Sequence, residues 1–210
     1  MENPVIIFGG GGLGAVALDI FKKNQVVVYG ILEDDTKLHG TEIDDVPILG
    51  STDDDGFLKL IGKKCEAFVA TDDNKLKKNL TQMLLDRRHV MPVNAIHETV
   101  VLGLGMEIGH GNLVSAGVIF SAKAIIGSHC IIHSGAVLDR ECTLVDYVQV
   151  GPKAVIGANV TVGEGTFIGS GVIIVPGIKI GKNARIGAGS VVIADVADKT
   201  TVFGNPAVKV

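Results

Sequence analysis

A run of glycines near the start of the chain has the spacing that phosphate binding needs. Residues 9–14 read Gly-Gly-Gly-Gly-Leu-Gly and contain the pattern Gly-x-Gly-x-x-Gly. They follow the apolar segment Val5–Phe8 and open a stretch with helical apolar spacing. Such glycines let a phosphate approach the backbone, and the amino end of the following helix favours its charge. The pattern indicates a nucleotide or phosphate ligand; the alternative is a tight turn that binds nothing.

Acidic residues end the next apolar segment, about twenty residues after the glycine run. Residues 25–32 are mostly apolar and are followed by Glu33, Asp34 and Asp35. A carboxylate at this place can accept hydrogen bonds from a ribose hydroxyl or a base N–H.

These residues lie in a first half that alternates between strand and helix patterns. Residues 25–32 and 65–70 are apolar segments, whereas residues 15–24 and Asn74–Arg88 carry apolar residues at helical spacing. Strand, helix and strand joined by short links predict a parallel α/β sheet over residues 1–92.

From about residue 100 the chain repeats every six residues. A large apolar residue recurs at this interval sixteen times without interruption, from Leu102 to Val192. A period of six fits neither a helix nor a plain strand and is typical of a hexapeptide parallel β-helix. If three hexapeptides close one coil, residues 102–192 form about five coils. Glycine follows nine of the sixteen positions, and we expect it to supply a positive backbone angle in the turn.

Composition excludes several classes of function. The net charge of −4 provides no basic surface for a phosphate backbone, and the nine aromatic residues are too few for base stacking, so we expect no nucleic acid partner. The sequence contains no uninterrupted run of about 18 apolar residues, so we expect no membrane span. The three scattered cysteines, Cys65, Cys130 and Cys142, indicate a reducing, cytoplasmic location.

The histidines of the repeat region do not predict a zinc site. Three histidines, His110, His129 and His133, lie in the repeat region, but their spacings of 19 and 4 do not follow the six-residue register. We therefore expect no metal.

The chain as a whole resembles the bacterial sugar acyltransferases of the NeuD/PglD type, which acetylate nucleotide-linked amino sugars or sialic acid with acetyl-CoA. The resemblance covers nearly the whole chain. The segments that carry it are residues 8–14, 32–35, 70–74, 95–97, 131–142 and 202–207.

The resemblance implies a Rossmann-like domain (residues 1–92), a left-handed parallel β-helix (residues 93–210) and a homotrimer. It also implies that the nucleotide-sugar lies near the glycine loop and that acetyl-CoA lies in the groove between neighbouring β-helices. The residues that it places at the nucleotide-sugar are Gly11, Gly12, Leu13, Glu33, Asp34 and Asp72. The residues that it places at acetyl-CoA are Gln149, Ala158, Gly187 and Ala188.

The sequence departs from the family pattern at the catalytic positions. The histidine that acts as the catalytic base in the family is replaced by Arg140, which lies between Asp139 and Glu141. A second family histidine, near the thioester, is replaced by Gln149, and a family asparagine is replaced by His133.

Because a guanidinium stays protonated near neutral pH, Arg140 cannot act as a general base. Three interpretations remain open. His133 is the base, oriented by Glu141 or Asp139; Arg140 binds an anionic part of a different acceptor; or the protein is a non-catalytic nucleotide-sugar-binding trimer.

Overall fold

Residues 3–210 are described by the computed structural model, and the chain divides into two units between Glu98 and Thr99. This boundary lies six residues after the one expected from the change of sequence pattern. The short strand β6 (Ala95–Ile96) belongs to the first unit.

The first unit is an α/β sheet with helices, the Rossmann-like arrangement that the resemblance implies. Its strands are β1 (Val5–Phe8), β2 (Val28–Leu32), β3 (Glu42–Ile43), β4 (Val46–Gly50) and β5 (Glu66–Val69), in the spatial order β3-β4-β2-β1-β5. Only β3 is antiparallel to its neighbour. The helices are α1 (Gly12–Lys23), α2 (Asp55–Leu58) and α3 (Asn74–Arg88).

The core of this unit follows from the apolar segments. All four residues of β1 are buried, as expected for a parallel strand covered on both faces. The α1 residues Leu18, Ile20 and Phe21 are buried, and the Phe21 ring meets the Phe68 ring of β5 edge to face at 5.6 Å. Strand β1 lies between β2 and β5 in this packed sheet.

The second unit is a left-handed parallel β-helix of two-residue strands. Its sixteen strands begin every six residues: β7 (Val101–Leu102), β8 (Glu107–Ile108), β9 (Leu113–Val114), β10 (Ile119–Phe120), β11 (Ile125–Ile126), β12 (Ile131–Ile132), β13 (Val137–Leu138), β14 (Thr143–Leu144), β15 (Gln149–Val150), β16 (Val155–Ile156), β17 (Thr161–Val162), β18 (Phe167–Ile168), β19 (Ile173–Ile174), β20 (Lys179–Ile180), β21 (Arg185–Ile186) and β22 (Val191–Val192). Two further strands, β23 (Thr201–Phe203) and β24 (Val208–Lys209), close it.

Each strand from β7 to β19 pairs in parallel with the strand 18 residues later, which gives the β-helix three faces. We call these the first face (β7, β10, β13, β16, β19 and β22), the second face (β8, β11, β14, β17 and β20) and the third face (β9, β12, β15, β18, β21 and β23). The chain turns from the third to the first face at edge A, from the first to the second at edge B, and from the second to the third at edge C.

The six-residue pattern locates the interior of the β-helix. Each of the sixteen predicted apolar residues is the second residue of a strand, and from Val114 onward all are buried. Small residues such as Ala136, Cys142 and Ala154 precede the strands and are fully buried. Stacked side chains from successive coils therefore form one continuous core.

The predicted role of the glycines in the repeat was wrong. Positive φ recurs three positions after the buried apolar residue, for example at Gly135, Glu141 and Lys153, and not at the glycine directly after it. That glycine instead allows close approach between coils: a Cβ on Gly157 would lie 2.7 Å from the carbonyl oxygen of Ile174. Side chains at these positions would collide with the backbone one coil further on.

Candidate functional site

The glycine loop connects β1 to α1 at the point where the sheet order reverses. The strands β2 and β5 flank β1, and ligands of open α/β sheets bind in the crevice at such a point. Gly9 has φ of 115°, and a Cβ on it would lie 2.7 Å from the carbonyl oxygen of Ala70. A Cβ on Gly14 would collide with the Gly9 carbonyl oxygen. These two glycines serve the packing of the loop.

Gly11 and Gly12 face open space. A Cβ added to either residue would meet no atom within 4 Å. Gly11 is the N-cap of α1 with no side-chain capping bond, and the first turn carries no acidic residue. The amino end of α1, with Leu13 half-buried in its first turn, can therefore accept an anion, because its first N–H groups lack partners within the helix.

Glu33 braces the glycine loop against the end of β2. Its Oε2 accepts a hydrogen bond from the Gly10 N–H at 2.7 Å, and its Oε1 accepts from the Asp34 N–H at 2.8 Å. The His39 Nε2–H donates a hydrogen bond to the Glu33 carbonyl oxygen at 2.7 Å. The carboxylate therefore holds the loop in place as well as lying beside it.

Asp34 fixes the end of β4. Its Oδ1 accepts hydrogen bonds from the Thr52 N–H at 2.8 Å and the Thr52 hydroxyl at 2.9 Å. Thr52 is not among the site residues predicted from the sequence, because strand β4 was not predicted. A strand followed by a small polar residue was the available signal, but Pro47 inside the segment masked it.

The loop after β5 reaches the same edge of the sheet. Asp73 caps α3, with its Oδ1 accepting from the N–H groups of Lys75 at 2.8 Å and Leu76 at 3.1 Å. Asp72, the predicted site residue, is exposed immediately before this cap. Because the carboxyl ends of parallel strands meet at one edge, the structure brings together the six residues predicted at the nucleotide-sugar: Gly11, Gly12, Leu13, Glu33, Asp34 and Asp72.

The residues predicted on the β-helix are divided between two edges and one face. His133 is half-buried on edge A, and its backbone N–H donates a hydrogen bond to the Val150 carbonyl oxygen at 2.9 Å. Gly187 and Ala188 lie on the same edge three coils further on, where the Phe203 ring packs against Gly187. Gln149 projects from the third face, paired with Ile131 and Phe167.

Edge B carries the charged residues. The Asp139 Oδ1 accepts a hydrogen bond from the backbone N–H of Arg140 at 2.7 Å, and Glu141 adopts a φ of 58°. Arg140 and Glu141 are exposed, whereas Ala158, one coil further on, is buried beside them. Within one protomer, strand β13 separates His133 on edge A from these residues on edge B.

The cysteines of the β-helix are packing residues. Burial raises the pKa of the Cys142 thiol to about 12, and the nearby Asp139 carboxylate adds to the effect. The buried Cys130 thiol donates to the Val145 carbonyl at 3.3 Å. The Cys142 thiol therefore stays protonated near neutral pH and supplies no thiolate nucleophile.

Residues 3–210 contain neither a candidate metal-binding group nor a candidate membrane-spanning helix. No group of three or more histidine, cysteine and acidic side chains is placed to hold a metal ion there. None of the helices described has the length and apolar character that crossing a membrane requires.

Comparisons with known proteins now identify the class. The PglD N-terminal domain model matches residues 4–84, and the bacterial transferase hexapeptide model, which describes six repeats, matches residues 141–174 and 159–194. Among curated protein sequences, none matches this chain.

Three solved structures are similar along the whole chain. One is a histidine-to-alanine mutant of GDP-perosamine N-acetyltransferase from Caulobacter crescentus, in complex with CoA and GDP-perosamine; it is 33% identical with a TM-score of 0.89, and the match covers 100% of this chain and 98% of that one. PerB from the same organism, in complex with the same two ligands, is 32% identical with a TM-score of 0.88 and the same coverage. The acetyltransferase domain of PglB from Neisseria gonorrhoeae is 25% identical with a TM-score of 0.89 and complete coverage of both chains.

The Rossmann-like unit and the hexapeptide β-helix together define an acyltransferase. The chain belongs to the NeuD/PglD-type sugar acyltransferase family, and the predicted family and fold are confirmed.

Proposed function

We propose that this protein transfers the acetyl group of acetyl-CoA to a nucleotide-linked amino sugar, or to sialic acid, in bacterial glycan or polysaccharide synthesis. The observation that carries the proposal is the 33% identity, over the whole chain, to an enzyme named as a GDP-perosamine N-acetyltransferase and crystallised with CoA. That relative favours transfer to nitrogen over transfer to oxygen. The open glycine loop supports a nucleotide ligand, because Gly11 and Gly12 leave space beside the amino end of α1.

The proposed reaction is a direct transfer. The acceptor nitrogen attacks the thioester carbonyl carbon, and the carbon–sulfur bond breaks. The proton that the nitrogen loses is taken up by the leaving CoA thiolate, which becomes the free thiol. A covalent enzyme intermediate is disfavoured because Cys142 is buried and the pKa of its thiol is raised to about 12.

His133 is the proposed base. It is half-buried on edge A, shares that edge with Gly187 and Ala188, and lies next to the coil that carries Gln149. An imidazole titrates near neutral pH and can act as a general base, whereas a guanidinium stays protonated. In this proposal Gln149, Ala158, Gly187 and Ala188 line the acetyl-CoA site. Arg140, Asp139 and Glu141 complete the catalytic site, with one of the two carboxylates orienting His133.

A homotrimer would join the separated parts of this site. His133 and Arg140 lie on different edges of one β-helix, so we propose that edge A of one copy meets edge B of the next. The outward residues of the first face support an interface, because all of them are aliphatic and all are at least partly exposed: Val101, Ile119, Val137, Val155, Ile173 and Val191. A continuous exposed apolar surface of this kind marks an interaction site.

The second candidate is a non-catalytic nucleotide-sugar-binding trimer on the same scaffold. Arg140 favours it, since this cation occupies the position where the family resemblance places the base. Both candidates are compatible with a cytoplasmic location, which we propose because Cys65, Cys130 and Cys142 are free thiols.

Calorimetric titration of the purified protein with acetyl-CoA tests the proposal and needs no choice of acceptor. We expect micromolar binding at one site per chain. If no heat of binding appears at millimolar acetyl-CoA, the groove has lost its donor and the binding-protein alternative replaces the transferase.

A further inference from the structure

The third face of the β-helix carries a preorganised arginine that no step of the proposed reaction uses. The guanidinium carbon of Arg185 lies 5.1 Å from the centroid of the Phe167 ring, in a cation–π contact. Both residues are exposed, and both are the outward members of their strands, β21 and β18. The ring holds the cation in place before any ligand arrives.

The register of the third face connects this pair to the proposed donor site. Gln149 pairs with Phe167, and Phe167 pairs with Arg185, so the three side chains form successive rungs of one ladder. Two rungs of a sheet span about 10 Å. Gly187, which is also proposed to line the donor site, follows Arg185 by two residues.

The charge of Arg185 is not neutralised by the protein. Among the described residues 3–210, no carboxylate forms an ion pair with its guanidinium. An exposed arginine stacked on an aromatic ring keeps its fork of N–H donors available, and that fork matches the geometry of a phosphate.

We propose that Arg185, held by Phe167, binds a phosphate of the CoA thioester. This inference rests on the proposed function, because it needs CoA to lie along the third face from Gln149 towards Gly187. CoA carries a diphosphate and a 3′-phosphate at the end of the molecule away from the thioester. Arg185 recognises one of them, and it therefore acts as an affinity determinant for the donor and not as a catalytic residue.

Calorimetry with CoA and dephospho-CoA, on the full-length protein, tests this. We expect Arg185→Gln to weaken CoA binding about tenfold, the effect of losing one charge-assisted hydrogen-bonded contact. Loss of the preference for CoA over dephospho-CoA assigns the contact to the 3′-phosphate. Equal weakening of both ligands assigns it to the diphosphate.

Two further variants and a control sharpen the result. Arg185→Lys keeps the charge but not the fork, and Phe167→Leu removes the ring but keeps the bulk; both should weaken CoA binding by less than Arg185→Gln. Lys179→Gln is the matched control, because Lys179 is the outward residue of β20 in the same coil but on the second face. It should bind CoA as the wild type does.

The outcomes separate this inference from the proposed function. Wild-type binding of CoA with unchanged affinity in Arg185→Gln, or an equal loss in Lys179→Gln, overturns the phosphate contact and leaves the transferase proposal standing. Failure of the wild type to bind CoA at all overturns both.

Discussion

Edge B carries Arg140 at the position where the family resemblance predicts the catalytic base. Arg140 is an exposed cation between two carboxylates, Asp139 and Glu141, and its position cannot supply a general base. His133 lies one edge away on edge A. It is half-buried, and it is the histidine of the β-helix nearest to Arg140 in the sequence. The sequence already contained this separation: seven residues exceed one six-residue repeat, so the two side chains fall at different turns.

Replacing His133 by Ala tests the assignment of the base. We expect kcat to fall by about 10²- to 10⁴-fold, the usual contribution of a positioned base, with little change in acetyl-CoA affinity. Steady-state release of CoA measures the first quantity and calorimetry the second. Arg140→His is the companion variant: a large gain in kcat, together with full activity of His133→Ala, would show that the base position has decayed and that His133 does not replace it.

Cys142 provides a pH prediction. Burial raises the pKa of its thiol from 9.0 to about 12, so the thiol is protonated at pH 8. We therefore expect thiol reagents to leave Cys142 unmodified in the native protein at that pH, and the protein to keep its activity. The neutral buried thiol contributes its full stability below pH 9.0, and that contribution decreases as the pH rises towards 12. Mass spectrometry of the labelled protein gives the answer. Rapid modification of Cys142 in the native state, accompanied by inactivation, would contradict the packing role.

At the element scale, the β-helix was predictable and part of the α/β unit was not. One large apolar residue per strand repeats without insertion, so the sequence alone placed every strand from β7 to β22. In the first unit β3, β4 and α2 were missed, because they are short and include Pro47 and a run of acidic residues. The role of the repeat glycines in close packing between coils was also not predicted, because the six-residue period does not give the distance between coils.

Gly157→Ala tests the revised role of the repeat glycines. Its Cβ would lie 2.7 Å from the Ile174 carbonyl oxygen, so we expect a loss of about 1–3 kcal/mol in the free energy of unfolding. Lys153→Gly is the matched change, because Lys153 has a φ of 56° and glycine relieves that conformation. It should unfold at or above the wild-type temperature. Equal destabilisation by both variants would contradict the distinction between the two positions.

The glycine loop allows a similar comparison in the first unit. Gly11→Ala introduces a methyl group into open space and should leave the thermal midpoint unchanged while weakening binding of a nucleotide-sugar. Gly14→Ala should lower the midpoint, because its methyl group collides with the Gly9 carbonyl oxygen. Differential scanning calorimetry and titration with GDP-perosamine, the ligand of the relative, separate the two effects. Unchanged binding by Gly11→Ala would remove the loop from the site.

The proposed catalytic site requires an assembly of several copies of the chain. The predicted catalytic residues occupy two edges of one β-helix, and the first face exposes an unbroken aliphatic ladder from Val101 to Val191. This ladder was readable in the sequence at every eighteenth position from Val101. The six-residue period alone did not predict it, because that period does not show which outward residues share a face.

Val155→Lys tests the proposed interface. A cation in the middle of the aliphatic ladder should dissociate the trimer, because a buried unpaired charge is strongly unfavourable. Sedimentation equilibrium measures the mass, and activity should be lost together with the trimer. Thr161→Lys, at the matched position of the second face, is the control and should remain trimeric. A monomeric wild type that is fully active would contradict the shared site.

The most direct measurement is the release of CoA when the purified protein is mixed with acetyl-CoA and GDP-perosamine, followed by mass analysis of the sugar. If the acceptor differs, a panel of GDP- and UDP-linked amino sugars replaces GDP-perosamine. We expect CoA release to depend on both substrates and the acetyl group to appear on the sugar nitrogen. Binding of acetyl-CoA and a nucleotide-sugar without any CoA release across the panel would contradict this expectation and make the protein a binding member of an enzyme family.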